Sequence, residues 1–157
     1  MKTEDLAREV ISKLTDEGRT LSTAESCTGG LLGKLLTDIP GASNAYKGGV
    51  ISYVNEVKHR ILGVEQETLD VCTAVSRETA HEMAKGTREL LKADVGVSTT
   101  GLAGPDGDGT GRPIGLVYVA LDMDGFSYCR ELHLKGDRAE IRAQAAHEAL
   151  SMLLEFL

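Results

Sequence analysis

Hydrophobic positions along the chain follow two periods, and their alternation predicts the elements. Leu6, Val10, Ile11 and Leu14 fall at helical spacing within Leu6 to Glu17, and Gly18 stands where a left-handed helix stop belongs. Thr20 to Ala24 reads as a short strand and Leu31 to Thr37 as a short helix, before a Pro40-Gly41 loop over 38–43. Ala45 to Val54 is rich in strand formers. Asn55 is placed to cap a short helix running to about Leu62, and Glu65 to Val71 reads as another. Ser76 opens the clearest amphipathic helix, carrying Ala80, Met83, Ala84, Thr87, Leu90 and Leu91 on its apolar side. Val95 to Thr100 is strand-like. Ile114 to Met123 and Phe126 to Leu134 flank Asp124-Gly125, a hairpin signal. Asp137 with Glu140 forms a capping-box pattern ahead of a last helix to about Phe156. Interleaved helices and strands with one hairpin predict an α/β chain, a three-layer α/β/α sandwich with a mixed sheet, forming a single domain over 1–157.

Composition narrows the function. The 157 residues carry 26% charged side chains and a formal net charge of −7, with aromatics at only 4% and no Trp. A basic footprint or a stacking platform for nucleic acid is therefore not expected. Met1 to Asp5 has no basic segment leading into an apolar one, so no signal peptide is expected, and no apolar run reaches membrane-spanning length. The three cysteines, Cys27, Cys72 and Cys129, and four histidines form no metal-binding spacing. A reducing, cytoplasmic setting without metal or cofactor is the expectation.

Four segments could carry chemistry. In Ala24-Glu25-Ser26-Cys27-Thr28-Gly29-Gly30 a strand leads into a helix. Backbone N–H groups at such a corner lack intrahelical partners, so a hydroxyl could attack a carbonyl while they hold the oxyanion. The plainer alternative is that Ser26 or Thr28 caps the helix and Gly29 and Gly30 allow close packing. Cys27 is a rival nucleophile or a small buried hydrophobe. In Tyr53-Val54-Asn55-Glu56-Val57-Lys58, an Asn55 cap places Lys58 in the first helical turn. The helix dipole and burial there would lower its pKa and make it a base, with Tyr53 orienting the proton. The alternative is an exposed Lys beside an ordinary strand Tyr. Thr100-Gly101-Leu102-Ala103-Gly104 opens a Gly-rich loop that admits a ligand to the backbone or merely connects two strands. Arg138 and Arg142 share a helix face and suit a phosphate or a carboxylate, unless they pair with Asp137 or Glu140.

Together these motifs resemble the CinA C-terminal domain family. The matches run in order from Ala24–Gly30 through Gly48–Tyr53 with Lys58, Ala74–Ser76, Thr100–Pro105 and Pro113–Tyr118 to Gly136-Asp137-Arg138 with Arg142. The resemblance implies a deamidase that hydrolyses the carboxamide of nicotinamide mononucleotide (NMN) to nicotinic acid mononucleotide and ammonia. It implies a nucleophile at Ser26, a base at Lys58, a catalytic Tyr53 and an assisting Arg138 or Arg142, in a homodimer or higher homo-oligomer. Backbone N–H groups of Cys27–Gly30 or of the Gly101–Gly104 loop would hold the oxyanion. The chain departs from the family in having Thr73 where Gly is usual, and in an acidic Asp106–Arg112 loop that would change the pocket rim. The second domain of longer members is not expected within these 157 residues, so no activity of that domain is carried over.

Overall fold

The computed structural model describes residues 1–157. Helix α1 (Thr3–Glu17) stops at Gly18, whose φ of 65° and N–H contacts to Leu14 and Thr15 carbonyls form the expected left-handed cap. Strand β1 (Leu21–Glu25) follows, with all five residues buried. Helix α2 (Leu31–Thr37) leads to β2 (Tyr46–Ile51), then to two short helices, α3 (Asn55–Arg60) and α4 (Gln66–Cys72). Helix α5 (Arg77–Leu91) is capped by Ser76, whose hydroxyl accepts from the Thr79 N–H. Strands β3 (Val95–Gly101), β4 (Leu116–Met123) and β5 (Phe126–His133) precede α6 (Arg138–Phe156). Asp137 and Glu140 form a complete capping box on α6, a local contribution of about 1 kcal/mol.

The strands form one mixed sheet in the order β2-β1-β3-β4-β5. β1 runs parallel to β2 and β3, while β3, β4 and β5 are successively antiparallel. Period-two alternation sorts the side chains of β3. Val95 and Val97 join the larger core with α1, α2 and α6, including Leu14, Leu36, Ile141 and Leu153. Gly96 and Ser98 turn to α5, which lies so close that a Cβ on Gly96 would sit 2.1 Å from the Ala84 carbonyl oxygen. The Ser98 hydroxyl donates to the Ala80 carbonyl there. Helices thus cover both faces of a mixed sheet, the expected three-layer α/β/α sandwich. No helix is long and apolar enough to cross a membrane.

Two expected boundaries move. β2 ends at Ile51 rather than Val54; its last ladder bond is the one from the Ser52 N–H to the Glu25 carbonyl at 2.7 Å. Asn55 does not cap α3; it is the first helical residue, Val54 holds the cap position, and no side chain caps the turn. Lys58 therefore sits one place later than the spacing suggested, its N–H already bonded to the Val54 carbonyl.

The topology positions the site. Glu25 is in register with Ile51 on one side and Thr99 on the other, so three parallel strands end together. The chain leaves β1 through α2 on one face and returns to β3 through α5 on the other. Crevices at such carboxyl-end switch points are where α/β sheets hold ligands.

Candidate active site

Ser26 is the first residue beyond β1 and is nearly buried. Its N–H donates to the Thr99 carbonyl, which fixes it at the sheet edge. Lys58 reaches it from α3. The Lys58 side chain is 1% exposed, and its Nζ lies 2.9 Å from Ser26 Oγ, 2.7 Å from the Ser52 carbonyl oxygen and 3.2 Å from the Tyr53 carbonyl oxygen. The early end of β2 is what turns those two carbonyls toward the amine. Burial lowers the Lys58 pKa from its ordinary 10.5 to about 8, with Cys27 a smaller opposing influence. A neutral amine has two N–H bonds and one lone pair. With the carbonyls of Ser52 and Tyr53 accepting the two N–H bonds, the lone pair is left for the Ser26 hydroxyl proton.

Cys27 lines the same cavity, but burial pushes its thiol up to about 12, so it stays protonated at neutral pH. Of the two rival nucleophiles, the geometry pairs only Ser26 with a base.

The β1–α2 corner differs from expectation. Glu25 is buried, and its carboxylate accepts from the N–H groups of Gly30 (3.2 Å), Leu32 (2.8 Å) and Gly33 (3.0 Å) and from the Thr28 hydroxyl (2.5 Å). The anion site at the start of α2 is thus filled by the protein's own side chain. Gly29 N–H closes onto the Ser26 carbonyl. Thr28, Gly29 and Gly30 do not line the cavity: Thr28 is fully buried, and the glycines adopt φ of 57° and 103° to turn the corner. The Cys27 N–H faces its own thiol, while those of Ala103 and Gly104, which line the same cavity as Ser26, make no hydrogen bond within the protein.

The two arginines separate. Arg142 donates to the Cys27 and Thr28 carbonyls, each at 3.0 Å, and stays outside the cavity as a brace of the corner. Arg138 lines the cavity and bridges its mouth, donating to the Gly104 carbonyl at 2.7 Å and to the Tyr53 hydroxyl at 2.9 Å. The Tyr53 ring is 56% exposed. Its carbonyl, not its phenol, meets Lys58, while the phenol oxygen accepts from Arg138 at the cavity and Ser26 and Lys58 are in direct contact.

The cavity is about 270 Å³. Thr100, Gly101, Ala103 and Gly104 line it as expected, and the Thr100 hydroxyl donates to the Ala74 carbonyl at 2.7 Å. Ala74, Val75 and Leu102, to which the sequence assigned no separate role, also line it, as do Asp106 and Asp108 of the acidic loop expected to alter the pocket rim. Ala74 and Val75 follow Thr73, whose φ of 71° and ψ of 172° cost a β-branched residue on the order of 1–3 kcal/mol. That strain is held in place by the Ser76 and Thr79 hydroxyls, which donate to the Thr73 carbonyl at 3.0 and 2.7 Å.

Comparison with known proteins places this arrangement in a family. The CinA C-terminal domain model matches residues 3–157. A protein named as competence-damage inducible from Caldanaerobacter subterraneus is 48% identical over 154 residues, 98% of this chain and 37% of its own length. A CinA-like protein of Syntrophomonas wolfei is 44% identical over 154 residues, again 98% of this chain and 37% of its own. The chain therefore spans little more than a third of these curated relatives. Solved structures match along nearly their whole length. A competence/damage inducible protein from Agrobacterium tumefaciens superposes with a TM-score of 0.94 at 41% identity, covering 98% of this chain and 94% of that one. A CinA superfamily protein from Escherichia coli gives 0.97 at 36% identity, covering 99% and 91%. With the family model matched along nearly its full length, the chain belongs to the CinA C-terminal domain family.

Proposed function

We propose that the chain is an amidohydrolase that converts NMN to nicotinic acid mononucleotide and ammonia. The observation that carries the reading is the buried Lys58 amine, 2.9 Å from Ser26 Oγ with two carbonyls to take its N–H bonds. Such a pair supplies nucleophile and base from the protein alone. The chemistry follows from that geometry. Lys58 takes the Ser26 proton as Oγ bonds to the carboxamide carbon. The oxyanion is held by the Cys27 N–H, released from its own weak thiol acceptor, or by the free N–H groups of Ala103 and Gly104 across the cavity. When the C–N bond breaks, the Lys58 ammonium returns its proton to the leaving nitrogen and ammonia departs. Water then attacks the Ser26 ester, giving one proton to Lys58, and the carboxylic acid leaves as Ser26 recovers its hydroxyl.

The cavity's charges support a dipolar substrate. Arg138 stands at the mouth with Asp106 and Asp108 nearby. NMN carries a pyridinium cation for the carboxylates and a phosphate for the guanidinium, with the carboxamide directed to Ser26. Apolar Val75, Leu102 and Ala103 would flank the ring.

The test is ammonia release from NMN by the purified protein with a chelator present, beside Ser26→Ala and Lys58→Ala. Release by the wild type alone supports the reading. A silent wild type whose melting temperature NMN still raises would make it a binding module instead, and silence without binding would remove NMN as its ligand.

A further inference from the structure

The cavity has two loop walls, and a single polar chain joins them. One wall, Thr73 to Val75, is pinned from behind by the hydroxyls of Ser76, Thr79 and Thr100, which donate to the carbonyls of Thr73 and Ala74. The other wall is the exposed loop that carries Asp106 and Asp108. That loop has little to hold it: a Cβ on Gly107, Gly109 or Gly111 would meet nothing within 4 Å. Its ties run inward along one path. The Thr110 hydroxyl and N–H both donate to Asp108, the N–H at 3.0 Å. The Arg112 N–H donates to the Thr110 hydroxyl at 3.3 Å. The Arg112 guanidinium then donates to the Thr73 hydroxyl on the opposite wall.

The residue at the far end is the one least suited to its backbone. Position 73, with φ 71° and ψ 172°, is a conformation open to glycine and unfavourable to any β-branched side chain. Glycine there would keep every backbone bond of the pinned wall and lose the hydroxyl that Arg112 uses, together with that hydroxyl's long 3.5 Å contact to the Val75 carbonyl. A conformation so unfavourable persists where a contact compensates for it, and this side chain makes one such contact outside its own turn.

We propose that Thr73 is a positioning residue: its hydroxyl latches Arg112 and so holds the Asp106–Arg112 loop in place as the second wall of the substrate cavity. The kinetic part of this proposal rests on the amidase reading; the structural part does not. The latch sets where Asp106 and Asp108 stand relative to a bound ring, and leaves Ser26 and Lys58 untouched.

The experiment compares Thr73→Gly, Thr73→Ser, Arg112→Met and the Thr73→Gly/Arg112→Met double variant. Two measurements are made on each: NMN kinetics, and the rate of nicking by an Asp-specific endoprotease, which reads the loop directly. Expected for Thr73→Gly is a rise in KM of roughly 5–20-fold with kcat within about twofold, because only binding geometry is disturbed. Nicking at Asp106 or Asp108 should quicken by about tenfold or more as the loop opens. Thr73→Ser, which keeps the hydroxyl, should match the wild type in both. Arg112→Met should reproduce Thr73→Gly, and the double variant should be no worse than either, the signature of one shared contact. Wild-type KM and nicking in Thr73→Gly would overturn the latch, as would effects that multiply in the double variant. If no protein releases ammonia but the loop opens in Thr73→Gly, Arg112→Met and the double variant and not in Thr73→Ser, the amidase reading fails and the latch stands.

Discussion

Two glycine-bearing segments meet at the cavity, and they are built in opposite ways. The β1–α2 corner is closed on itself. Glu25 takes the N–H groups of Gly30, Leu32 and Gly33, and Arg142 takes the carbonyls of Cys27 and Thr28. The Asp106–Arg112 loop is exposed, its glycines meet nothing, and its tie to the opposite wall is the Arg112 contact with Thr73. On the proposed function, a rigid half holds Ser26, and a loosely held half would face the part of a ligand that distinguishes one substrate from another. Nearly rigid nucleophiles and adaptable rims are the expected division of labour in a site that must align atoms closely yet admit and release its ligand.

Changes on the rigid side should be the most damaging. Ser26→Ala removes the attacking oxygen and should reduce kcat for ammonia release by about 10⁴-fold or more, while leaving the unfolding midpoint nearly unchanged. Equal turnover in that variant would move the chemistry elsewhere. Next in size is Glu25→Ala, which leaves several buried donors without an acceptor. A stability loss of about 3–5 kcal/mol is expected from the shift in denaturant midpoint, with Glu25→Gln losing less. A midpoint within experimental error of the wild type would mean the corner is not held by that carboxylate.

Lys58 links the rigid half to pH. Its pKa is about 8 in the folded protein and near its ordinary 10.5 when unfolded. Below pH 8 both states carry the proton and the folded state bears the burial penalty. Between about 8 and 10.5 the unfolded chain holds more protons, so stability contributed by this group rises with pH, by about 3 kcal/mol across the window. Lys58→Met should abolish that rise, as read from denaturant unfolding at pH 7.5 and 10; an identical rise in the variant would assign it to other groups.

The smallest effect belongs to the loose half. Asp106→Asn and Asp108→Asn should lower the preference for a cationic ring amide over a neutral isostere by about 3–10-fold together, since exposed charges act weakly through water. The ratio of kcat/KM values between the two substrates, taken in wild type and variant, cancels the intrinsic reactivity of the amide. An unchanged ratio would remove both carboxylates from substrate choice.

Much of the fold was legible because its signals are local. The 3.6-residue spacing in α1, the Ser76 cap, the Asp124-Gly125 hairpin and the Asp137–Glu140 capping box each lie within a few residues of sequence, and each is in the structure. The candidate site was legible only as residue types. Ser26 and Lys58 are 32 positions apart, so their contact depends on β2 ending at Ile51, and the strand-forming Tyr53 and Val54 hid that end. Helical spacing put Arg138 and Arg142 on one face, but one turn of separation sends the first to the cavity and the second to the corner carbonyls. The free N–H groups expected around Gly30 were lost to Glu25, a residue inside the motif itself. An acidic side chain just before a helix start was the available signal, and it reads equally well as a solvated charge.

The most direct test of the central claim, that neutral Lys58 activates Ser26, is the pH dependence of kcat/KM for ammonia release from NMN between pH 6 and 9.5, with Cys27→Ala alongside. The account predicts an acid limb, activity rising with pH until Lys58 loses its proton near pH 8, and the same limb in Cys27→Ala. A flat profile from pH 6 upward, or loss of turnover in Cys27→Ala, would contradict it.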